Sequence, residues 1–317
     1  MVKIDQSNNS KRMAFLFPGQ GAQYPGMGRD FYDHYPEASA VFEQASEILG
    51  PDLIEAIFSG PAEYLQQTQF AQPAILTVST AIYRVLRNLG FKASGFAGLS
   101  LGEYGALVAA ESISFESALP LVQKRGIYMQ EAVPLDRGKM VAIMGLDHDH
   151  VEDICRKAQS EGVVSPANYN CPGQIVISGH KEAVDMASNM ASSGGAKRIT
   201  ELNVSAPFHC ALLDPVEARI ATELEKVEIN KVSVPVVSNV TAEFISEPEQ
   251  IKRNLIVQVS HPILWEQSIR RLIAAGINCF IGLGPGTSLS RLMKRIAPEI
   301  ETFAVEKIDQ VDQLLNN

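Results

Sequence analysis

Gly98-Leu99-Ser100-Leu101-Gly102 is the stretch on which the reading of this chain turns. A short apolar run, Phe96-Ala97, precedes it, and a helix-like segment, Glu103 to Ala110, follows. A Gly-x-Ser-x-Gly pentapeptide between strand and helix reads as a nucleophile elbow, a tight turn that holds its serine in strained backbone angles. Residues two before and two after that serine must be small, because a side chain there would collide with the strand or the helix. The helix is expected to begin at the serine, so that its first free N–H groups and positive dipole end face whatever Ser100 attacks. Without those flanks the same five residues would be an ordinary Gly-rich turn.

Upstream, Met13-Ala14-Phe15-Leu16-Phe17 is a continuous apolar run closed by Pro18-Gly19, the pattern of a buried strand. The loop behind it, Gly19-Gln20-Gly21-Ala22-Gln23, is rich in backbone N–H groups and amide side chains. A dinucleotide fingerprint would need glycine where Tyr24 stands and a βαβ unit directly after, so that function is excluded. A Gly-rich loop straight after the first strand of an α/β sheet is nevertheless a common place of ligand contact. Helical spacing runs over Phe31 to Leu49, from Pro61-Ala62-Glu63, and over Ala74 to Leu89 with Gly90 as its cap. Beyond the elbow, Phe115 to Met129 is helical and carries Arg125, which beside Lys124 reads as part of a solvated face.

The pattern then changes. Met140–Leu146, Val163–Tyr169, Gln174–Gly179 and Ala196–Asn203 read as strands, with helices over Asp147–Ser160 and His180–Ser193. This β-α-β-β-α-β order is ferredoxin-like. Residues 134–203 are therefore expected to form a subdomain inserted into an α/β part made of 1–133 and 204–317, with a ligand cleft between the two. Downstream, a helix is expected over Leu212–Val227, a buried strand over Pro235–Val240, a helix over Trp265–Gly276 and a strand over Cys279–Leu283. The Gly284-Pro285-Gly286 turn opens a helix carrying Arg291, Lys294 and Arg295, and no internal repeat is found.

Composition narrows the function classes. At 317 residues, 46% hydrophobic and 20% charged, the chain can build an ample core. A net charge of −9 makes nucleic acid a poor main partner. No apolar run approaches the roughly 20 residues of a membrane span, and the polar stretch Met1 to Arg12 reads as a loose leader of a cytoplasmic protein. Cys155, Cys171, Cys210 and Cys279 are far apart, without a Cys-x-x-Cys pair, so buried thiols are expected rather than disulfides or zinc ligands.

Ser100 needs a base, because a free serine hydroxyl is a poor nucleophile at neutral pH. Of the six histidines, His34 sits in a surface-like helix and His180 at a helix start. His148 and His150 form an Asp-His-Asp-His run that lacks further metal ligands. His209 and His261 remain, and His209 is favoured because it follows a proline-containing turn where the chain re-enters the large part. The third group stays open. Glu103, on the elbow helix, points to structure, and a Ser-His dyad oriented by a carbonyl or amide, from Gln258 for example, fits better than a Ser-His-Asp triad.

Taken together, these residues resemble the malonyl-CoA:acyl carrier protein transacylase family. The resemblance runs from Phe17-Pro18-Gly19-Gln20-Gly21 through Gly98-Leu99-Ser100-Leu101-Gly102-Glu103 and Gln123-Lys124-Arg125-Gly126. It continues through Asn168-Tyr169-Asn170-Cys171-Pro172-Gly173-Gln174 and His209-Cys210-Ala211-Leu212 to Gly284-Pro285-Gly286. It implies an α/β-hydrolase-like large domain with an inserted ferredoxin-like subdomain. It also implies that Ser100 takes malonyl from malonyl-CoA as an ester and passes it to the phosphopantetheine thiol of acyl carrier protein, feeding fatty acid synthesis. His209 would be the base, held by a backbone carbonyl near Gln258. Gln20 and the N–H of Leu101 would hold the oxyanion, and Arg125 would grip the malonyl carboxylate, reversing its reading as a solvated residue. Asn168, Asn170 and Phe208 would line the acyl site, with Phe208 favouring malonyl over methylmalonyl. No cofactor or metal is implied, nor a membrane or nucleic acid partner, and the enzyme is expected to be a monomer.

One departure stands out. Many members carry histidine where this chain has Leu99, which leaves His209 less contested. Competing readings are a thioesterase or proofreading acyl hydrolase, a trans-acting polyketide acyltransferase, and a non-catalytic carrier-binding module. A hydrolase of uncharged acyl chains has no use for Arg125 as a clamp, and a binding module has no use for Ser100, His209 and Gln20.

Overall fold

The apolar run Met13–Phe17 forms strand β1, which pairs in parallel with β2, Ala93–Gly98, on one side and β9, Cys279–Leu283, on the other. Adding β7 (Val236–Val237), β8 (Phe244–Ile245) and β10 (Glu301–Val305) gives a six-stranded sheet ordered β10-β9-β1-β2-β7-β8. Its pairs are parallel except β7 with β8. Phe15, Phe17 and Phe96 enter one apolar cluster, while Ala14, Leu16 and Ala97 enter another with Trp265 and Phe280. Helices cover both faces, so a central strand reads as an unbroken apolar run rather than an alternating one. The computed structural model describes residues 11–134, 136–204 and 206–316. Most of the expected leader, Met1 to Ser10, lies outside them.

The second sheet has four antiparallel strands: β3 (Gly138–Met144), β4 (Val164–Cys171), β5 (Gln174–His180) and β6 (Arg198–Glu201), ordered β4-β5-β3-β6. Helices His148–Ala158 and Lys181–Ser193 complete the ferredoxin-like order. Val141, Ile143, Ile175 and Ile177 face these helices, whereas Met140, Ala142 and Val176 join the core of the large part. Period-2 alternation in β3 and β5 thus serves two cores at once. A backbone bridge ties the parts together: Tyr169 N–H donates to Ile263 O (2.9 Å) and Ile263 N–H to Ala167 O (2.8 Å).

Several expected elements change. Phe31–Leu49 is two helices, Arg29–His34 and Pro36–Leu49, because Tyr35 before the proline is extended. The helix expected from Ala74 spans Thr68–Asn88, its first turns buried despite Pro73. The strand expected over Pro235–Val240 stops after two residues, since Ser238 and Asn239 turn away toward the elbow. Pro248–Val257 is a helix that the sequence reading did not contain, and it delivers Gln258 at its C-terminal end. Among the described residues no helix is long and apolar enough to cross a membrane.

Candidate active site

Ser100 sits between β2 and the helix Gly102–Ala109 with φ of 53°, in the left-handed region that non-glycine residues avoid. The flanking glycines are sterically required. A Cβ on Gly98 would lie 1.9 Å from the Gly102 carbonyl, and one on Gly102 would lie 2.1 Å from Phe17 O. The helix begins at Gly102 rather than at Ser100, because a left-handed residue cannot be part of it. Asn239 braces the turn: it accepts from Ser100 N–H at 2.7 Å and donates from Nδ2 to Gly98 O at 2.7 Å. With the Ser100 N–H engaged, the next amide is that of Leu101, for which no acceptor exists among the described residues.

His209 is the second non-glycine residue held at positive φ in the site, at 59°. Its Nε2 lies 2.8 Å from Ser100 Oγ and its Nδ1 2.8 Å from Gln258 O. A carbonyl oxygen can only accept, so Nδ1 carries the proton and Nε2 is free to take one from the serine. Burial, reinforced by the nearby Arg125 charge, pushes the His209 pKa down from 6.5 to about 3, so the imidazole is neutral. The other histidines lie elsewhere. His261 is exposed beside Glu217 and Ser260, His34 contacts Asp30 O, and His180 Nδ1 accepts from Val163 N–H. His148 lies 3.7 Å from the Glu266 carboxylate.

Arg125 is 1% exposed, which corrects its reading as a solvated residue. The helix Phe115–Glu131 turns Lys124 outward to pair with Glu223 and turns Arg125 into the site. Arg125 Nη1 donates to Gln72 Oε1 (2.8 Å), and Nη2 donates to Gln258 Oε1 (2.9 Å) and Ser100 Oγ (3.3 Å). Its Nε finds no acceptor among the described residues, and the guanidinium lies 5.5 Å from the Tyr104 ring centroid. Every acceptor around this buried cation is neutral. Gln258, itself fully buried, donates from Nε2 to Glu103 Oε2 (2.6 Å) and to Ser100 O (3.1 Å).

Gln20 lies on the loop after β1 and donates from Nε2 to Thr68 Oγ1 at 3.3 Å, and the bond from Leu99 N–H to Phe17 O fixes that loop's origin beside the elbow. Phe208 is buried directly before His209. Asn168 and Asn170 lie on β4 at the backbone bridge, and neither hydrogen-bonds Ser100, His209 or Arg125. Asn170 Oδ1 is buried without a partner among the described residues.

The chain as a whole has counterparts among known proteins. Residues 14–308 match the family model of the acyl transferase domain. The chain is 44% identical over 302 residues to the malonyl CoA-acyl carrier protein transacylase of Bacillus subtilis, covering 95% of each. This chain belongs to the malonyl CoA-acyl carrier protein transacylase family. A crystal structure of an acyl carrier protein S-malonyltransferase from Vibrio cholerae superposes with TM-score 0.93 at 42% identity, covering 96% of this chain and 100% of that one. A malonyl-transacylase solved in complex with AntF, a type II polyketide acyl-carrier protein, gives TM-score 0.94 at 40% identity, covering 97% and 100%.

Within this transacylase fold, the sequence reading missed Gln72 and Asn239 and left Glu103 without a named contact. Gln72 and Asn239 are fully buried polar side chains. A glutamine inside an apolar helix pattern, at Ala71-Gln72-Pro73, was the available signal for the first. Asn239 gave none, because its partners lie 139 and 141 residues away. The four cysteines are free and buried, and burial pushes Cys155 up to about 12. Among the described residues no group of three or more His, Cys, Asp or Glu could hold a metal ion.

Proposed function

We propose that this chain is a malonyl-CoA:acyl carrier protein transacylase that works through a malonyl ester on Ser100 and supplies malonyl units for fatty acid synthesis. The observation that carries the substrate is the buried Arg125 guanidinium, 3.3 Å from the attacking oxygen and without an anionic acceptor. A free carboxylate two carbons from the reacting carbonyl fits between those groups, and its burial needs such a cation. A hydrolase of neutral acyl chains would bury Arg125 to no purpose.

Ser100 Oγ attacks the thioester carbon as its proton passes to His209 Nε2. The tetrahedral oxyanion is held by Leu101 N–H and Gln20. The carbon–sulfur bond breaks, and His209 returns the proton to the departing coenzyme A thiolate. In the second half, the phosphopantetheine thiol gives its proton to His209 and attacks the ester. Ser100 leaves and recovers that proton. Pairing of Arg125 with the malonyl carboxylate also offsets the positive charge that disfavours the imidazolium, so the correct substrate strengthens its own base.

For the carrier, exposed Lys197, Arg198, Lys294 and Arg295 support an acidic partner. Arg295 donates to Gln174 Oε1 (2.7 Å) and Pro172 O (2.9 Å), on the turn between β4 and β5. Gly173 in that turn accepts from Gly145 N–H, and Lys197 packs against Gly145. Arg295, Lys197 and Arg198 therefore gather at the rim of the small sheet, with no acidic partner among the described residues. The division into 1–133 with 204–317 and an inserted 134–203 is part of the same reading. Intact mass after malonyl-CoA treatment tests the whole. A malonyl adduct on the parent that Ser100→Ala lacks, and that discharges to carrier faster than to water, is expected. Rapid discharge to water alone would favour the hydrolase.

A further inference from the structure

Glu103 is the one acidic side chain, among the described residues, that hydrogen-bonds to the group formed by Ser100, His209, Arg125 and Gln258. It is 1% exposed. Its Oε2 accepts from Gln258 Nε2 (2.6 Å) and Asn239 N–H (3.2 Å), while its Oε1, near the Ser238 hydroxyl, has no hydrogen-bond partner among the described residues. The Gln258 amide has two faces. Anchoring its NH2 on Glu103 turns its oxygen to Arg125, and the same residue's backbone carbonyl orients His209. In the empty enzyme one buried cation and one buried carboxylate therefore balance across a single amide. Loading malonyl sets a second carboxylate on the same cation, leaving an excess negative charge away from water. A buried excess charge of this kind is relieved by protonation. The malonyl carboxylate pairs with Arg125 directly, whereas Glu103 reaches it only through Gln258.

Resting on the malonyl-serine reading, we propose that Glu103 is the positioning residue of Gln258 and takes up a proton from solvent, at Oε1, when a malonyl carboxylate settles on Arg125. Burial already holds its pKa at about 7 in the empty enzyme, against an ordinary 4.5, with the bonds from Gln258 and Asn239 opposing the rise. The titratable groups facing it are Tyr104 and Arg125, and His209 is linked to it across Gln258. Tyr104 is pushed up to about 12 by burial and stays neutral. Arginine does not lose its proton in proteins. His209 is the one competitor for the proton.

The experiment follows proton uptake with a pH indicator in weakly buffered full-length enzyme, on adding stoichiometric malonyl-CoA. Intact mass on the same samples reports Ser100 acylation separately, so absence of the adduct counts against the proposed function and not against Glu103. Acyl transfer to Ser100 consumes no net proton. Near pH 8 the parent is expected to take up a large fraction of one proton per malonyl-serine, falling toward zero near pH 5 where Glu103 is protonated beforehand. Glu103→Gln keeps the Oε2 contacts and should abolish the uptake. It should also raise the malonyl-to-acetyl loading ratio a few-fold, by removing the competing carboxylate. Glu103→Asp keeps the charge and should retain uptake while slowing acylation, through a displaced Gln258. Acylation of the parent without uptake would overturn the proposal. So would uptake persisting in Glu103→Gln, which would assign the proton to His209.

Discussion

The two sheets carry opposite kinds of chemistry. The six-stranded sheet and its helices hold buried groups tied to one another: Ser100 and His209 in strained backbone, Arg125 and Glu103 joined through Gln258. The four-stranded sheet contributes apolar packing, the β4 asparagines and an exposed basic rim. Buried groups have few alternatives when a partner is removed, because the one left behind keeps its desolvation penalty. Exposed charges are screened and replaceable. Substitutions on the large side should therefore act on the chemistry, and those on the small side on the encounter.

The largest effects test that first half. Ser100→Ala should remove the acyl adduct altogether, and His209→Ala should slow acylation by orders of magnitude while His261→Ala does little. A strong effect at His261 would break the assignment, since that ring is exposed and bonded to Ser260 and Val257. Arg125→Ala should weaken malonyl transfer by about 3–5 kcal/mol, the range for breaking a buried pair. Arg125→Lys should be poorly tolerated, because a single ammonium lacks the planar fork that meets Gln72, Gln258 and a carboxylate together. The ratio of malonyl to acetyl loading on Ser100 should fall in both variants. An unchanged ratio would detach substrate choice from Arg125.

The pH dependence sharpens the contrast between two buried groups on the same side. The His209 pKa is depressed from 6.5 to about 3, so its contribution to stability is complete above 6.5 and is lost as pH falls toward 3. Glu103 is raised from 4.5 to about 7, so its contribution is complete below 4.5 and is lost as pH rises through 7. Between 4.5 and 6.5 the two oppose each other. Thermal unfolding of Glu103→Gln should therefore gain on the parent above pH 7 and lose that gain near pH 5. The acylation rate should show no descending limb at the ordinary histidine value of 6.5.

The elbow was legible because its constraint is local: two glycines at fixed offsets, each pressed against backbone within the same turn or the neighbouring strand. The β-α-β-β-α-β order was legible because its alternation is local too. Arg125 was not, since the pattern around it does not say which helix packs against which side. Its neighbour Gly126 carried the missing sign: a Cβ there would lie 2.6 Å from Thr68 O, so two helices meet at that residue and bury what stands beside it. Gln258 was found from the need to orient a histidine, but its side-chain role between Glu103 and Arg125 depends on contacts 155 and 133 residues away. Sequence patterns report a residue's own turn well and its distant partners poorly.

The smallest expected effect belongs to the rim of the small sheet. Lys197, Arg198 and Lys294 are exposed, and Arg295 is committed only to an amide oxygen and a backbone carbonyl. Charge reversal at Lys197 and Arg198 should leave the Ser100–His209–Arg125 geometry untouched, because none of those residues contacts the rim. What it should change is the rate at which an acidic carrier protein collects malonyl from the loaded enzyme. Exposed pairs are each worth about 0.2–1 kcal/mol, so a several-fold loss at low ionic strength is the expected scale. The loss should shrink as salt shortens the Debye length to about 8 Å near physiological strength. Measured against carrier concentration, it should enter through kcat/KM, with the single-turnover rate at saturating carrier little altered. A loss that persisted at high salt, or that appeared in the saturated rate, would mean that the rim shapes the active site itself and that the two sheets are less separate in function than their burial makes them.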